Sequence, residues 1–421
     1  GKLLSLGELG LDGRVRPAPG ALATALALRR SNSPVPSAIA AGSSDCVCLR
    51  AVPGLDVVEA PSLRALAARL LGEQESDVGE HSPLLTFAST DTPRDACAFK
   101  DMSDVKGQPH AKRALEIAAA GGHHVALLGR AGVGKTLLAE RLPGILPDLD
   151  DEQALEVTSI HQLSGRDGGV SVGLARNPPW FAPHHTASRA AMVGGGSDNR
   201  PSIGMVSLAH HGVLFLDEAA EFEPGVLDAL REPLESGNVT IARAGFQISV
   251  PAAFQLVLAT NPCPCGNALD THRGAVCRCT PTQRRRYLSR LSGPLLDRVD
   301  VRVVLTRPSL ASLAADADDD SSELIAARVR EARACLRQRL VCTQWSLMVD
   351  VPAEQLALRW PLAPSARQKL DSASRKDSMR GRDRVIRVAW SIAALAGRDE
   401  PSAADIDDAI SLRASEQQWA A

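Results

Sequence analysis

Apolar positions run along this chain in two rhythms, and the points where one gives way to the other mark its parts. Over residues 1–72 short apolar runs alternate with Gly and Pro, as in LLSLGELGLDG, RPAPGALATALALRR and CVCLRAVPGLDVVEA. This succession predicts a strand, a turn, a helix and a strand, then a last helix over SLRALAARLLG; Cys46 and Cys48 fall on one face of the strand-like stretch, as buried thiols. Residues 73–100 lose periodicity and collect Ser, Thr, Asp and Pro, the composition of a linker. Across residues 101–306, apolar runs of strand length (HHVALL, GVLFL, FQLVLA) alternate with helical segments (PHAKRALEIAAA, TLLAERL, EPGVLDALREPLESG). Strands without a polar face need cover on both sides, so this region predicts an α/β fold with a parallel sheet flanked by helices. TLLAERL should stop at Pro143 and Gly144, and EPGVLDALREPLESG should open at Pro224 and run unbroken to Gly237. Residues 307–344 form an acidic bridge and a long helix over ELIAARVREARACLRQRL. Residues 345–421 form a small helical domain whose last helix enters through Pro401 and Ser402.

Composition narrows the picture. A length of 421 residues exceeds one ordinary core and suits about two to three domains. Hydrophobic residues at 44% and charged residues at 23% describe a folded globular chain, and aromatics at 3% make its cores aliphatic. The 47 basic and 49 acidic side chains nearly cancel, which excludes a protein that coats nucleic acid by bulk charge but allows a local basic surface. No apolar run reaches the roughly 18 residues of a membrane span. Nine cysteines, an odd count in a long chain, argue against a secreted disulfide framework and for a reducing cytoplasm.

Between HHVALL and TLLAERL stands Gly129-Arg130-Ala131-Gly132-Val133-Gly134-Lys135-Thr136, the G-x-x-x-x-G-K-[ST] pattern in a strand–loop–helix setting. Its glycines let successive backbone N–H groups converge on a polyphosphate, Lys135 reaches the β and γ oxygens, and the Thr136 hydroxyl ligates magnesium. A glycine-rich turn alone would not need the Lys-Thr pair. The apolar strand in GVLFLDEAAEF delivers Asp217 and Glu218 at its carboxyl end, where open α/β sheets bind ligands. Asp217 would hold magnesium through water and Glu218 would act as general base on the attacking water. At the end of LVLATNPCPCG, Asn261 is placed to hold that water against the γ-phosphate, although Asn-Pro by itself is a turn signal.

Two further clusters carry chemistry. Cys263-Pro-Cys265 and Cys277-Arg-Cys279 make a C-x-C…C-x-C set with eleven residues between the pairs. Four thiolates satisfy tetrahedral zinc, a structural zinc with pairs spaced more tightly than usual; free thiols compete, and disulfides are the poorest reading. Gln283-Arg284-Arg285-Arg286-Tyr287 is the densest basic run, either a solvated helix face or a patch toward DNA or a neighbouring subunit. His184 and His185 read as polar loop groups rather than metal ligands, because no third ligand accompanies them.

The strings Asp104-Val105-Lys106-Gly107-Gln108, AAAGGHHVALLGRAGVGKT, LEVTSIHQLSG, APHHTAS, VGGGS, SLAHHGVLFLDE, NPCPCG and LSGPLLDRVD together resemble the magnesium-chelatase-like AAA+ ATPases, and among them the ComM/YifB branch, over residues 101–412. APHHTAS and NPCPCG are far more specific than a nucleotide loop. The resemblance implies an AAA+ P-loop core, a C-terminal helical lid and an ATP-hydrolysing motor that works as a hexameric ring. Its partner would be DNA, as a helicase or branch-migration factor on recombination or transformation intermediates. Two alternatives are an ATPase subunit driving magnesium insertion into a porphyrin and a nucleotide-binding chain with little turnover. By matching motif, Arg298 in LLDRVD is the arginine finger offered to a neighbour's γ-phosphate. Arg387 in DRVIRVAW, or Arg384 one turn earlier, is the second sensor from the lid. Residues 238–250 are a β-hairpin whose turn bears Arg243 as a DNA contact, and residues 165–203, with His184 and His185, form an insertion toward the pore.

GELGLDGRVRPAPGALATALALRR followed by VPGLDVV resembles the second half of a Lon-protease-like α+β domain, so the chain is expected to begin inside that domain. The catalytic Lys of Lon proteases would fall near Leu22 and the nucleophilic Ser before Gly1, so a peptidase reading fails. The chain departs from the family at Phe181, where Arg is usual, at Met205, where Glu is expected, and at Arg130 or Ala131, where Pro is common. None of these changes touches Lys135, Thr136, Asp217 or Glu218; those at Phe181 and Met205 bear on substrate engagement.

Overall fold

The computed structural model describes residues 3–31, 38–72, 100–165, 173–197, 200–243, 246–268, 276–308, 320–373 and 379–413; the expected linker lies outside these residues except for Lys100. The chain divides into two compact units, Gly1–Ala98 with Asp148–Asn177 and Phe99–Pro147 with Pro178–Ala421.

In the first unit, β1 (Leu3–Leu6), β2 (Ala38–Ala41) and β3 (Val57–Glu59) form a parallel sheet in that order. The stretch holding Cys46 and Cys48 is a helix, Ser43–Leu49, and not a strand. Ser43, Ser44 and Asp45 supply a polar first turn that favours helix entry, and the Asp45 carboxylate accepts the Ala18 N–H at 3.0 Å. Both thiols are buried as expected, and burial pushes Cys46 up to about 11. The helix Asp151–Ser164 begins with a capping box of Asp150 and Gln153. Although it lies in sequence between the glycine-rich loop and the Asp217–Glu218 pair, its Leu155 packs with Leu22, Ala25 and Leu26 of the helix Ala21–Arg30. Glu152 pairs with Arg29 at 2.8 Å, and Glu156 pairs with Arg30.

The second unit is built on a five-stranded parallel sheet. Its strands are β4 (Val125–Gly129), β5 (Trp180–Phe181), β6 (Val213–Leu216), β9 (Gln255–Thr260) and β10 (Val301–Leu305), ordered β10-β4-β9-β6-β5; β7 (Asn238–Arg243) and β8 (Phe246–Pro251) pair as a separate antiparallel hairpin. Side chains alternate between two cores, Val125, Leu127, Val213, Phe215 and Val257 on one face, Ala126, Leu128, Leu214, Leu216 and Leu256 on the other. This is the double cover the apolar strands predict. The helices Ser322–Leu340, Met379–Leu395 and Ala403–Ser411 follow, the last with Ser402 as its cap.

Two expected helices differ in detail. EPGVLDALREPLESG is broken into Pro224–Ala229 and Arg231–Ser236, because Pro233 has no N–H to give the preceding turn. Pro143 does not end helical structure; after Lys135–Ala139 it sits in the first turn of a second short helix, Leu142–Ile145.

A buried polar cluster fills the amino-terminal end of the sheet, opposite the glycine-rich loop. His123 Nδ1 lies 2.9 Å from Asp300 Oδ2 and its Nε2 lies 2.8 Å from the Ser391 hydroxyl, while Arg384 Nε is 3.5 Å from Asp300 Oδ1. This ties β4 and β10 to the helix Met379–Leu395. Next to it, His124 Nδ1 accepts the Leu256 N–H at 3.1 Å, and burial drives the imidazole down to about 4. His124 is therefore neutral in the fold and protonates near 6.5 when unfolded, so its contribution is present above that value and lost as pH falls toward 4. Between pH 7.5 and 5 the second unit should lose about 2 kcal/mol of stability through this group. Urea titrations at the two pH values, compared with His124→Asn, measure it.

Candidate active site

The site lies at the carboxyl ends of β4, β6 and β9. Gly129 closes β4 so near β10 that a Cβ there would stand 3.0 Å from Leu305 Cβ and its carbonyl oxygen, so no larger residue fits without displacing the strand. Gly132 and Gly134 adopt φ of 77° and 100°, left-handed values that let the loop from Arg130 to Gly134 turn back over the helix Lys135–Ala139. Lys135 is buried, and its Nζ donates to the carbonyls of Gly129 at 2.6 Å and Arg130 at 2.9 Å and to Asn261 Oδ1 at 2.9 Å. Burial lowers the Lys135 ammonium from its ordinary value, while Asp217 and Glu218 act in the opposite direction.

The Thr136 hydroxyl donates to Asp217 Oδ2 at 2.7 Å, and the other carboxylate oxygen of Asp217 accepts the Glu218 N–H at 2.9 Å. Glu218 itself holds φ 50°, ψ 43°, a left-handed conformation that costs a non-glycine residue about 1–2 kcal/mol. Three segments far apart in sequence thus bring Lys135 and Thr136, Asp217 and Glu218, and Asn261 together at one end of the sheet. A hydroxyl and a carboxylate oxygen side by side are the hard donors magnesium takes, so Thr136 and Asp217 suit that ion. The loop glycines and Lys135 suit a polyphosphate.

His185, which the sequence places among the polar loop groups of the insertion, has a neighbour in this cluster. His185 Nδ1 lies 3.3 Å from Glu218 Oε2. The stretch APHHTAS carries no periodic signal that would send His185 there; only the pairing of the two-residue strand β5 with β6 does so.

The remaining candidates have other partners. Arg298 pairs with Glu235 and donates to the Pro294 carbonyl at 2.6 Å. Arg387 Nε donates to the Val351 carbonyl at 2.9 Å, whereas Arg384 belongs to the buried Asp300 cluster. Arg243 ends β7 opposite Phe246, and its side chain lies outside the described residues, as do 166–172 and 198–199 of the expected insertion. The basic run is the helix Pro281–Leu288, capped by Thr280, with Tyr287 buried and Arg285 and Arg286 exposed. Cys263, Cys265, Cys277 and Cys279 gather with all four sulfurs within 4.8 Å of one another, among them Cys263–Cys265 at 3.3 Å and Cys265–Cys277 at 3.6 Å. Among the described residues every cysteine is free, and no helix is long and apolar enough to cross a membrane.

A parallel sheet ordered in this way, with a glycine-rich loop after β4 and paired acids after β6, defines a P-loop fold of the AAA+ type. Residues 101–313 match the family described as magnesium chelatase, subunit ChlI, and residues 319–413 match its C-terminal domain. An uncharacterized protein of Mycobacterium tuberculosis is 43% identical over 97% of this chain and 78% of its own length. The uncharacterized protein YifB of Escherichia coli is 42% identical over 78% of this chain and 61% of its own. Competence protein ComM of Haemophilus influenzae is 40% identical over 75% and 60%. The chain belongs to the magnesium-chelatase-like AAA+ family, among the ComM and YifB homologues. That membership suggests ATPase activity with ATP and magnesium, and members of such families commonly form oligomers.

Proposed function

We propose that this chain is an ATP-hydrolysing motor of the ComM type that remodels DNA, as a helicase or branch-migration factor. The observation that carries the ATPase part is the meeting of Lys135, Thr136, Asp217, Glu218 and Asn261 at one end of the sheet. Lys135 is already dehydrated and held by three oxygens, so exchanging carbonyl partners for phosphate oxygens requires little reorganisation. Thr136 and Asp217 would hold magnesium, which neutralises phosphate charge when bound. Glu218 takes the proton of the attacking water, and Asn261, bonded to Lys135, keeps that water near the γ-phosphate. Arg298 would serve a neighbouring subunit in a hexameric ring, and Arg387 would serve as the second sensor. The name of the Haemophilus relative, a competence protein, favours DNA as the substrate class. The hairpin of β7 and β8, ending at Arg243, supplies a basic residue for a strand in the pore. The cytoplasm suits both the DNA and the free thiols.

ATP turnover with and without single-stranded and forked DNA tests this reading. The wild type should be stimulated by DNA, and Lys135→Ala should lose turnover with either. Absence of stimulation by every DNA would remove the helicase reading, and a fully active Lys135→Ala would remove the site.

The four cysteines make a second expectation. Sulfurs around one zinc at about 2.3 Å stand roughly 3.8 Å apart, close to the spacings seen here. We propose a structural zinc on Cys263, Cys265, Cys277 and Cys279. Elemental analysis of reduced protein should find one zinc per chain and a loss in Cys277→Ser; metal content far below that ratio would leave the thiols free.

A further inference from the structure

We infer that the four-cysteine loop braces the glycine-rich loop from one side, so that zinc on its thiols sets how tightly nucleotide is held. The link rests on the two readings above, nucleotide at the glycine-rich loop and zinc on Cys263, Cys265, Cys277 and Cys279. The two loops are neighbours in space. A Cβ built on Gly266 would stand 3.8 Å from the backbone nitrogen of Ala131, an ordinary van der Waals contact, and Gly266 is buried there. They are joined along the chain as well: Asn261, whose Oδ1 accepts from Lys135 Nζ at 2.9 Å, stands two positions before Cys263. Lys135 and Ala131 are thus met by one short stretch, residues 261–266.

Regular structure does not fix that stretch. Of the described residues between β9 and the helix Pro281–Leu288, none lies in a helix or strand. One turn is closed by the Gly266 N–H, which donates to the Cys263 carbonyl at 2.9 Å, with Gly266 at φ 78°, a left-handed value that suits glycine. The remaining order centres on sulfur. Cys263 is buried, and its Sγ lies 3.3 Å from that of Cys265 and 3.7 Å from that of Cys277. Backbone N–H groups point at these sulfurs, Ala268 toward Cys263, and Asn267 and Arg278 toward Cys265. Donors of this kind orient metal-binding thiolates and offset their negative charge. An ion held by all four sulfurs would fix residues 263 and 265 against 277, and through Gly266 would limit the room open to Ala131. A phosphate loop already held in its binding shape loses less freedom when nucleotide arrives, which raises affinity.

The test is binding of a fluorescent ATP analogue, with magnesium, to the full chain in three states. These are zinc-loaded protein, protein stripped by a chelator under reducing conditions and then freed of it, and stripped protein given back one equivalent of zinc. Affinity should fall about tenfold on stripping, the cost of ordering roughly one residue of backbone on binding, and return with zinc. Calcium, which takes oxygen ligands and not thiolates, should not restore it. Hydrogen exchange separates bracing from general unfolding: amides of residues 129–136 should exchange faster in the stripped protein, while those of the helix Ser322–Leu340 keep their protection. Cys277→Ser should bind nucleotide as the stripped protein does and should not respond to zinc. Affinity indifferent to zinc, recovery with calcium, or faster exchange throughout the second unit would overturn the inference. The two readings beneath it fail separately. A chain that takes up no zinc removes the metal site and the inference with it, and Lys135→Ala binding nucleotide as well as wild type removes the phosphate site.

Discussion

Glu218→Gln is expected to lower ATP turnover by about two to four orders of magnitude, the range general-base catalysis supplies, while nucleotide is still bound. The amide keeps the size and the hydrogen-bonding reach of the carboxylate but cannot take a proton. The backbone around residue 218 should not relax, because Asp217 Oδ1 and the Glu221 N–H hold it independently of the side chain. Lys135 and Thr136 are untouched, so equilibrium binding of a fluorescent ATP analogue should change little. Parallel measurements of turnover and binding check the pair of outcomes. A variant that bound nucleotide poorly would show that Glu218 shapes the phosphate site and does not act on water.

The second large effect is on stability. Asp300→Ala should destabilise the second unit by about 3–5 kcal/mol, the cost of leaving buried charged partners without their counterpart. Asp300 is fully enclosed and faces His123 at 2.9 Å and Arg384 at 3.5 Å. Burial opposes its charge, but the hydrogen bond and charge of His123, together with Arg384, hold the carboxyl well below the usual carboxylate range. A depressed carboxyl contributes stability above its unfolded pKa of about 4 and loses it as pH falls below that. The Asp300 effect should therefore be complete at pH 7 and should shrink only in strong acid, below the window in which His124 acts. Asp300→Asn, which can still accept from His123 Nδ1, should cost less than Ala. Urea unfolding of the three proteins at pH 7, followed by the same series in acid, distinguishes the two groups.

The gathering of Lys135, Thr136, Asp217, Glu218 and Asn261 could be read almost entirely from sequence because each part is a local pattern attached to an apolar strand. GRAGVGKT follows VALL, Asp217 and Glu218 follow VLFL, and Asn261 follows LVLAT. Strands buried on both faces carry so little polarity that they cannot be mistaken for loops. What escaped was either short or polar. β5 is two residues long, placed by the Val213 N–H donating to the Pro179 carbonyl, and nothing in Trp180–Phe181 marks it as a strand. β10 carries a buried arginine, Arg302, whose Nη2 donates to the Leu296 carbonyl, and that charge disguises an otherwise apolar run. The contact of His185 with Glu218 depends on β5 and was hidden with it. Cys46 and Cys48 were misplaced because two thiols flanking a valine read equally well as alternation; the polar turn before them decides for a helix.

The helix Asp151–Ser164 has a practical consequence for anyone dividing this protein. It stands in the chain after the glycine-rich loop and before Asp217 and Glu218, yet its Leu155 packs into the core of the strands and helices that begin at Leu3. A fragment cut at residue 100 would keep the glycine-rich loop and the Asp217–Glu218 pair and carry Leu155 into solvent, together with Glu152 and Glu156 stripped of their arginines. The first unit is thus stitched from two lengths of chain, and no single cleavage point separates an intact second unit from it.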